Sequence, residues 1–148
     1  MTILNSAQEV PVGRFSVELE LANDEDLLMS EQGLLKPDQV RRVKVRGVVD
    51  TGATRLVIPQ AVASHLGLAE RSSVIVRFAD GRSATRPVVE RLRVTCEGRT
   101  SVFNAIVEPN RDSALIGAIV LEDLDFLVDP KNGRLVPRDP AGIVSEVE

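Results

Sequence analysis

The sequence contains no tryptophan and no tyrosine, and Phe15, Phe78, Phe103 and Phe126 are its only aromatic side chains. Four scattered rings do not make the stacking platforms on which single-stranded nucleic acids lie. Basic residues do not compensate, since 18 Lys and Arg stand against 22 Asp and Glu for a net charge of −4. That balance works against binding that depends on neutralising phosphates. Cysteine and histidine occur once each, as Cys96 and His65. A lone thiol has no partner for an internal disulfide, and one imidazole with one thiolate does not complete a closed zinc site. No metal or other cofactor is therefore expected. Long apolar runs are missing as well: the longest, residues 114–121, includes Gly117 and falls far short of a membrane span. The opening MTILNSAQE has neither a basic start nor a long apolar segment, so no secretory signal and a cytoplasmic location are expected.

What is present is an ordinary globular composition, 43% hydrophobic and 27% charged over 148 residues. A chain of this length makes one domain that buries roughly 68–70% of its unfolded surface. Residues 1–12 show no periodicity and read as an N-terminal arm, residues 13–137 as the domain, and residues 138–148 as a polar, loose C-terminal tail. Within the domain, alternation dominates. Phe15, Val17, Leu19 and Leu21 alternate with polar residues, and so do Val43, Val45 and Val49 with Arg42, Lys44 and Arg46, the signature of half-buried strands. Asn23 to Asp26 closes the first strand, and the Leu-rich stretch to Asp38 reads as a short helix or a long loop lying against the body or a partner. Pro59 opens a short helix that Gly67 closes, with His65 on its exposed side. Val74, Val76 and Phe78 lead to Ala79-Asp80-Gly81-Arg82, an Asp-Gly hairpin corner, and the returning arm is interrupted by Pro87. A second hairpin turns at Asn132-Gly133 between two apolar triplets. Cys96 lies near a strand end and reads as a reduced structural thiol.

Two short elements carry chemistry. In Val48-Val49-Asp50-Thr51-Gly52-Ala53-Thr54, two β-branched residues end a strand and deliver an acid into a turn. Thr51 brings a hydroxyl beside that acid, and Gly52 is expected to take backbone angles closed to other residues and to let a second backbone come close. Such a turn is also a common polar bend in which the acid bonds its own backbone. The second element, Ala114-Leu115-Ile116-Gly117, runs into the helical pattern Ala118-Ile119-Val120-Leu121-Glu122-Asp123.

With these two elements in this order, residues 15–137 resemble the retropepsin-like (retroviral-type) aspartic proteases, bacterial stand-alone branch. The family's apolar-apolar-Asp-Thr/Ser-Gly-Ala motif matches Val48 to Ala53 position by position, and its apolar-apolar-Gly motif matches Leu115, Ile116 and Gly117. The resemblance implies a mainly β fold: a closed acid-protease barrel with a flap hairpin and one or two short helices, holding half of an active site. It implies Asp50, Thr51 and Gly52 as catalytic residues, and Leu115, Ile116 and Gly117 as their structural support. Substrate would be gripped by Ala53 and Thr54 and by the flap tip, Ala79, Asp80, Gly81 and Arg82. Most viral members carry arginine after the second glycine, where it braces the dimer; here that position is Ala118.

The chain carries only one Asp-Thr-Gly. Metal-free peptide hydrolysis needs a base to activate water and an acid to protonate the product, and a lone aspartate with a pKa of about 4 does neither well at moderate pH. Two aspartates within ~3 Å cannot both ionise, so they share a proton and divide the roles. The second Asp50 must come from an identical chain across a two-fold axis. The leading expectation is a homodimeric aspartic endopeptidase acting on extended peptides, with no nucleic-acid or membrane partner. A catalytically weak or inactive dimeric peptide-binding or assembly module of the same fold is the alternative, and a β-rich interaction domain with Asp50 as a mere turn residue is the third reading.

Overall fold

The structure, a computed structural model, describes residues 14–147. The arm expected over residues 1–12 lies outside them. The first strand, β1 (Phe15–Asn23), pairs antiparallel with β2 (Arg42–Val49) over eight registered positions, Phe15 opposite Val49 to Ala22 opposite Arg42. The remaining strands are β3 (Val57–Pro59), β4 (Glu70–Arg77), β5 (Ser83–Cys96), β6 (Arg99–Glu108), β7 (Ala114–Ile116), β8 (Phe126–Asp129) and β9 (Arg134–Pro137). Among the described residues three short α-helices interrupt them, α1 (Asp24–Glu31), α2 (Gln60–Leu66) and α3 (Ala118–Asp123), with a single 3-10 turn at Pro37–Gln39.

The sheet order is β1-β2-β7-β3-β6-β5-β4, and β5 also pairs with β1. Six strands therefore close into a mixed parallel and antiparallel barrel, the mainly β closed barrel expected from the motifs, and β4 hangs outside it on β5. Closure removes most free sheet edges and encloses a core of Leu19, Leu21, Val49, Ile58, Val94 and Ile116, all fully buried. The alternating residues that signalled β1 and β2 point their apolar faces into this core, and their Glu, Lys and Arg outward. A separate two-stranded ribbon, β8–β9, turns at Gly133 in the left-handed region, with Asn132 bonded to the Asp129 carboxylate through both its backbone and its side-chain amide.

Two expectations change, and one is met in an unexpected way. Pro87 does not break the returning arm: β5 runs unbroken through it opposite Ser73, and the irregularity falls between Val89 and Leu92, where Arg91 has φ 62°. The segment after β1 is helical and lies against the body as expected, but its most buried side chains are acids, while Leu27 and Leu35 are only half-buried. Leu28, Met29 and Leu34 are exposed, whereas Asp24 and Asp26 are buried. Asn23 caps the helix by accepting from the Asp26 amide, Asp24 pairs with Arg93, and Asp26 takes two side-chain bonds and one backbone bond from Arg41. The tail is tied down as far as Val144: the carboxylate of Asp125 accepts from Arg138 and from the Val144 amide, and the backbone oxygen of Asp139 accepts from Arg99.

Candidate active site

The site is made by the way the chain crosses itself. Strand β2 pairs with one side of β7 and β3 with the other, so residues 50–56 pass over the end of β7. Much of the backbone in that crossing is tied down by hydrogen bonds. The amide of Asp50 donates to the Ile116 oxygen at 3.0 Å, and the amide of Ala53 to the Asp50 oxygen at 3.1 Å. The first amides of α3 finish the job, Ala118 donating to the Ala53 oxygen and Ile119 to the Thr54 oxygen, both at 2.9 Å. Helix N-termini leave amides without internal partners, and here the Asp50 loop supplies them. Leu115, Ile116 and Gly117 thus sit beneath the turn that carries Asp50.

Gly117 is required there by space. It adopts φ −92° and ψ −177°, open to any residue, but an added Cβ would lie 2.5 Å from the Arg55 oxygen and 2.6 Å from the Thr54 carbon. Gly52 differs from expectation, because it is not among the glycines with positive φ. What it contributes is its amide, which donates to Asp50 Oδ1 at 3.0 Å. A Cβ there would meet nothing closer than that same oxygen at 3.3 Å.

The other carboxylate oxygen, Oδ2, accepts from Arg14 Nη2 at 2.7 Å. Arg14 precedes Phe15, whose partner is Val49, so the β1–β2 register brings it beside Asp50. The acid is only 14% exposed at its side chain, while Arg14 is 40% exposed. Thr51, Gly52 and Thr54 are exposed, on the open side of the barrel.

Hairpin β4–β5 projects beside this turn and leaves two hollows against the barrel. One, of about 450 Å³, runs from Ala53, Thr54 and Arg55 to Val74 and Ile75. The other, of about 320 Å³, has apolar walls from Val57, Val76, Phe78, Ile106 and Leu115, with Arg77 and Arg111 at its rim. Of the expected substrate-gripping residues, Ala53 and Thr54 line the first hollow. Ala79, Asp80, Gly81 and Arg82 form the exposed hairpin tip, where Asp80 accepts from Arg82 Nε at 2.6 Å and Gly81 has φ +88°. The hollows are lined by the hairpin's β4 arm and Phe78 rather than by its tip. Arg14, Val76, Phe78 and Arg111 escaped the sequence reading; for Arg14 alone a signal existed, its register position opposite the acid.

Elsewhere the reactive candidates are quiet. Cys96 is buried, which pushes its thiol up to about 12, with the Glu97 charge adding to the effect. His65 lies exposed on α2. Among the described residues no helix is long and apolar enough to cross a membrane, and no group of three His, Cys, Asp or Glu side chains is gathered to hold a metal ion.

Comparison with known proteins adds a family. A family model described as "aspartyl protease" matches residues 38–120, more than half of the chain, from just before β2 to the middle of α3. Among curated proteins none matches. One similar solved structure is the solution structure of simian foamy virus (mac) protease, 17% identical over 72% of this chain and 90% of that one, with a TM-score of 0.46.

Proposed function

Because the chain belongs to the aspartyl protease family, we propose that two copies of it make one aspartic endopeptidase, with Asp50 from each chain at a shared two-fold site. The observation that carries this reading is the setting of Asp50: a half-buried carboxylate, pinned by the Gly52 amide, at the end of a strand whose following loop, Ala53 to Arg55, lines an open hollow. In the pair, the ionised Asp50 takes a proton from water as the water oxygen attacks the peptide carbonyl carbon. The protonated Asp50 gives its proton to the carbonyl oxygen, producing a tetrahedral diol. The newly protonated Asp50 then gives its proton to the amide nitrogen while the other Asp50 takes one from a diol hydroxyl, so the C–N bond breaks to a carboxylic acid and an amine and the shared proton is restored. Thr51 and Gly52 complete the turn, and hairpin β4–β5 acts as a flap that holds the substrate as an added strand. A reducing compartment such as the cytoplasm suits the single buried cysteine.

One observation favours a second reading. In the single chain Arg14 occupies Oδ2 of Asp50, which suits a dimeric peptide-binding module whose acid is neutralised rather than shared. The two readings separate on one experiment. Purified protein is incubated with a denatured protein substrate from acidic to neutral pH, beside the Asp50→Asn variant. Hydrolysis by the wild type alone, with the variant still folded and dimeric, is the expected result. Equal cleavage by both, or none by either, gives the site to binding.

A further inference from the structure

The chain as a whole is acidic, with a net charge of −4, yet its cleft is not. Arg55, Arg77 and Arg111 line the two hollows, and the only carboxylate among the lining residues is Glu108. Glu108 is already engaged, since its Oε1 accepts from Arg86 Nε at 2.7 Å. Among the described residues no carboxylate oxygen lies within salt-bridge distance of Arg55, Arg77 or Arg111.

Arg111 is the most constrained of the three. Its Nε donates to the Ser113 oxygen at 2.9 Å and its Nη2 to Ser113 Oγ at 3.2 Å, so the guanidinium is held in one orientation with Nη1 unused by the described protein. Burial works against its charge, lowering its hold on the proton, and Arg14 and Arg46 add to that while Asp112 and Glu108 oppose it. A half-buried guanidinium whose hydrogen bonds go only to neutral oxygens, with Asp112 and Glu108 near but outside bonding distance, keeps a donor for an anion, and a planar fork of this kind binds carboxylates well. The hollow beside it has apolar walls from Val57, Val76, Phe78, Ile106 and Leu115. Its natural occupant has an apolar stem and an anionic end.

Resting on the endopeptidase reading, we infer that the 320 Å³ hollow is a specificity pocket for a glutamate side chain of the substrate peptide, with Arg111 reading its carboxylate and Arg77 adding charge at the rim. Specificity of this sort is strong where a buried polar group would otherwise stay unpaired.

The test begins with cut sites. Digestion of a denatured protein mixture by the wild type, followed by mass spectrometry of the new termini, should show glutamate enriched at one position near the scissile bond. Two peptides differing only as Glu or Gln at that position are then compared. The expected ratio of kcat/KM is roughly 10–100 in favour of Glu at low salt, shrinking as ionic strength rises. Arg111→Met should bring the ratio near one, and Arg111→Lys should keep its direction at reduced size; melting curves verify that both fold, and the salt series on the wild type decides if they do not. Cleavage without glutamate enrichment, or a preference that survives Arg111→Met, overturns the inference while leaving the endopeptidase reading intact. If nothing is cut, that reading fails by itself, and two extended peptides of one sequence, differing only as Glu or Gln at a central position, are titrated into Asp50→Asn: Glu bound more tightly than Gln retains the pocket, and equal binding removes it.

Discussion

Asp26 and Asp50 are both bonded to arginine at almost the same distance, and they do opposite things. Asp26 takes Arg41 Nε at 2.8 Å, Nη2 at 2.9 Å and the Arg41 amide at 3.0 Å, with 8% of its side chain exposed. These three donors, the guanidinium first, hold its carboxyl below the ordinary carboxylate value against the opposing cost of burial. A depressed folded-state value means the contribution is complete above the unfolded value of about 4 and disappears as the pH falls through the folded one. Asp26→Asn should therefore cost about 1–2 kcal/mol at neutral pH, with a difference from wild type that closes as the pH drops below 4; denaturant unfolding across that range measures it. A constant difference down to strongly acidic pH would show that the pair is not what the carboxylate contributes. Asp50, by contrast, has a single bond from an arginine that is 40% exposed. Exposed pairs of that kind contribute roughly 0–1 kcal/mol. Arg14→Gln should leave the melting temperature within a few degrees of wild type, which makes the contact cheap to open when substrate arrives. A large loss of stability in that variant would recast Arg14 as a structural clamp.

At the level of elements, the crossing of residues 50–56 over β7 is the joint on which the site depends. Gly117→Ala should be its sharpest probe, because the added methyl meets backbone atoms of Thr54 and Arg55 that cannot rotate aside. A cost of about 1–3 kcal/mol is expected from such overpacking, together with a loss of hydrolysis larger than stability alone explains, since the same backbone carries Asp50. Wild-type stability and activity in this variant would mean the loop moves freely and is not braced by β7 and α3. How legible this joint was depends on distance along the chain. The strand ending at Asp50 and the hairpins at Gly81 and Gly133 announce themselves through neighbouring residues, by alternation and turn chemistry. The Leu-Ile-Gly element was recognisable, but not the crowding that demands its glycine, because that comes from residues 54 and 55 folded on top of it. The helix after β1 was harder still. Its acids read as the polar end of a strand, and only partners at Arg41 and Arg93, the latter 69 positions from Asp24, explain why they are inside while Leu28 and Met29 are out. Arg111 stayed hidden for the same reason: its role follows from the hollow that β3, β4, β6 and β7 build around it.

For the molecule as a whole, the decisive feature is what one barrel leaves unfinished. A chain with a single Asp-Thr-Gly turn supplies one carboxyl group, and its neighbours Thr51, Gly52 and Thr54 are turned toward solvent rather than packed. A sequence folds such a loop with this much backbone support, then leaves its polar tip bare, when something else is to cover it. If that is a second copy, activity must follow the population of pairs rather than of chains. Specific activity should fall on dilution below the dissociation constant of the dimer, and sizing at the same concentrations should show monomer appearing in parallel. Mixing is the more searching measurement. When wild type and Asp50→Asn exchange subunits at equal amounts, random pairing leaves about half of the wild-type chains in wild-type pairs, so activity per wild-type chain should drop to about half although no wild-type protein was removed. Activity that stays proportional to wild-type protein at every dilution and every mixing ratio would mean that one chain suffices, and the second proton-sharing acid would then have to be sought within it.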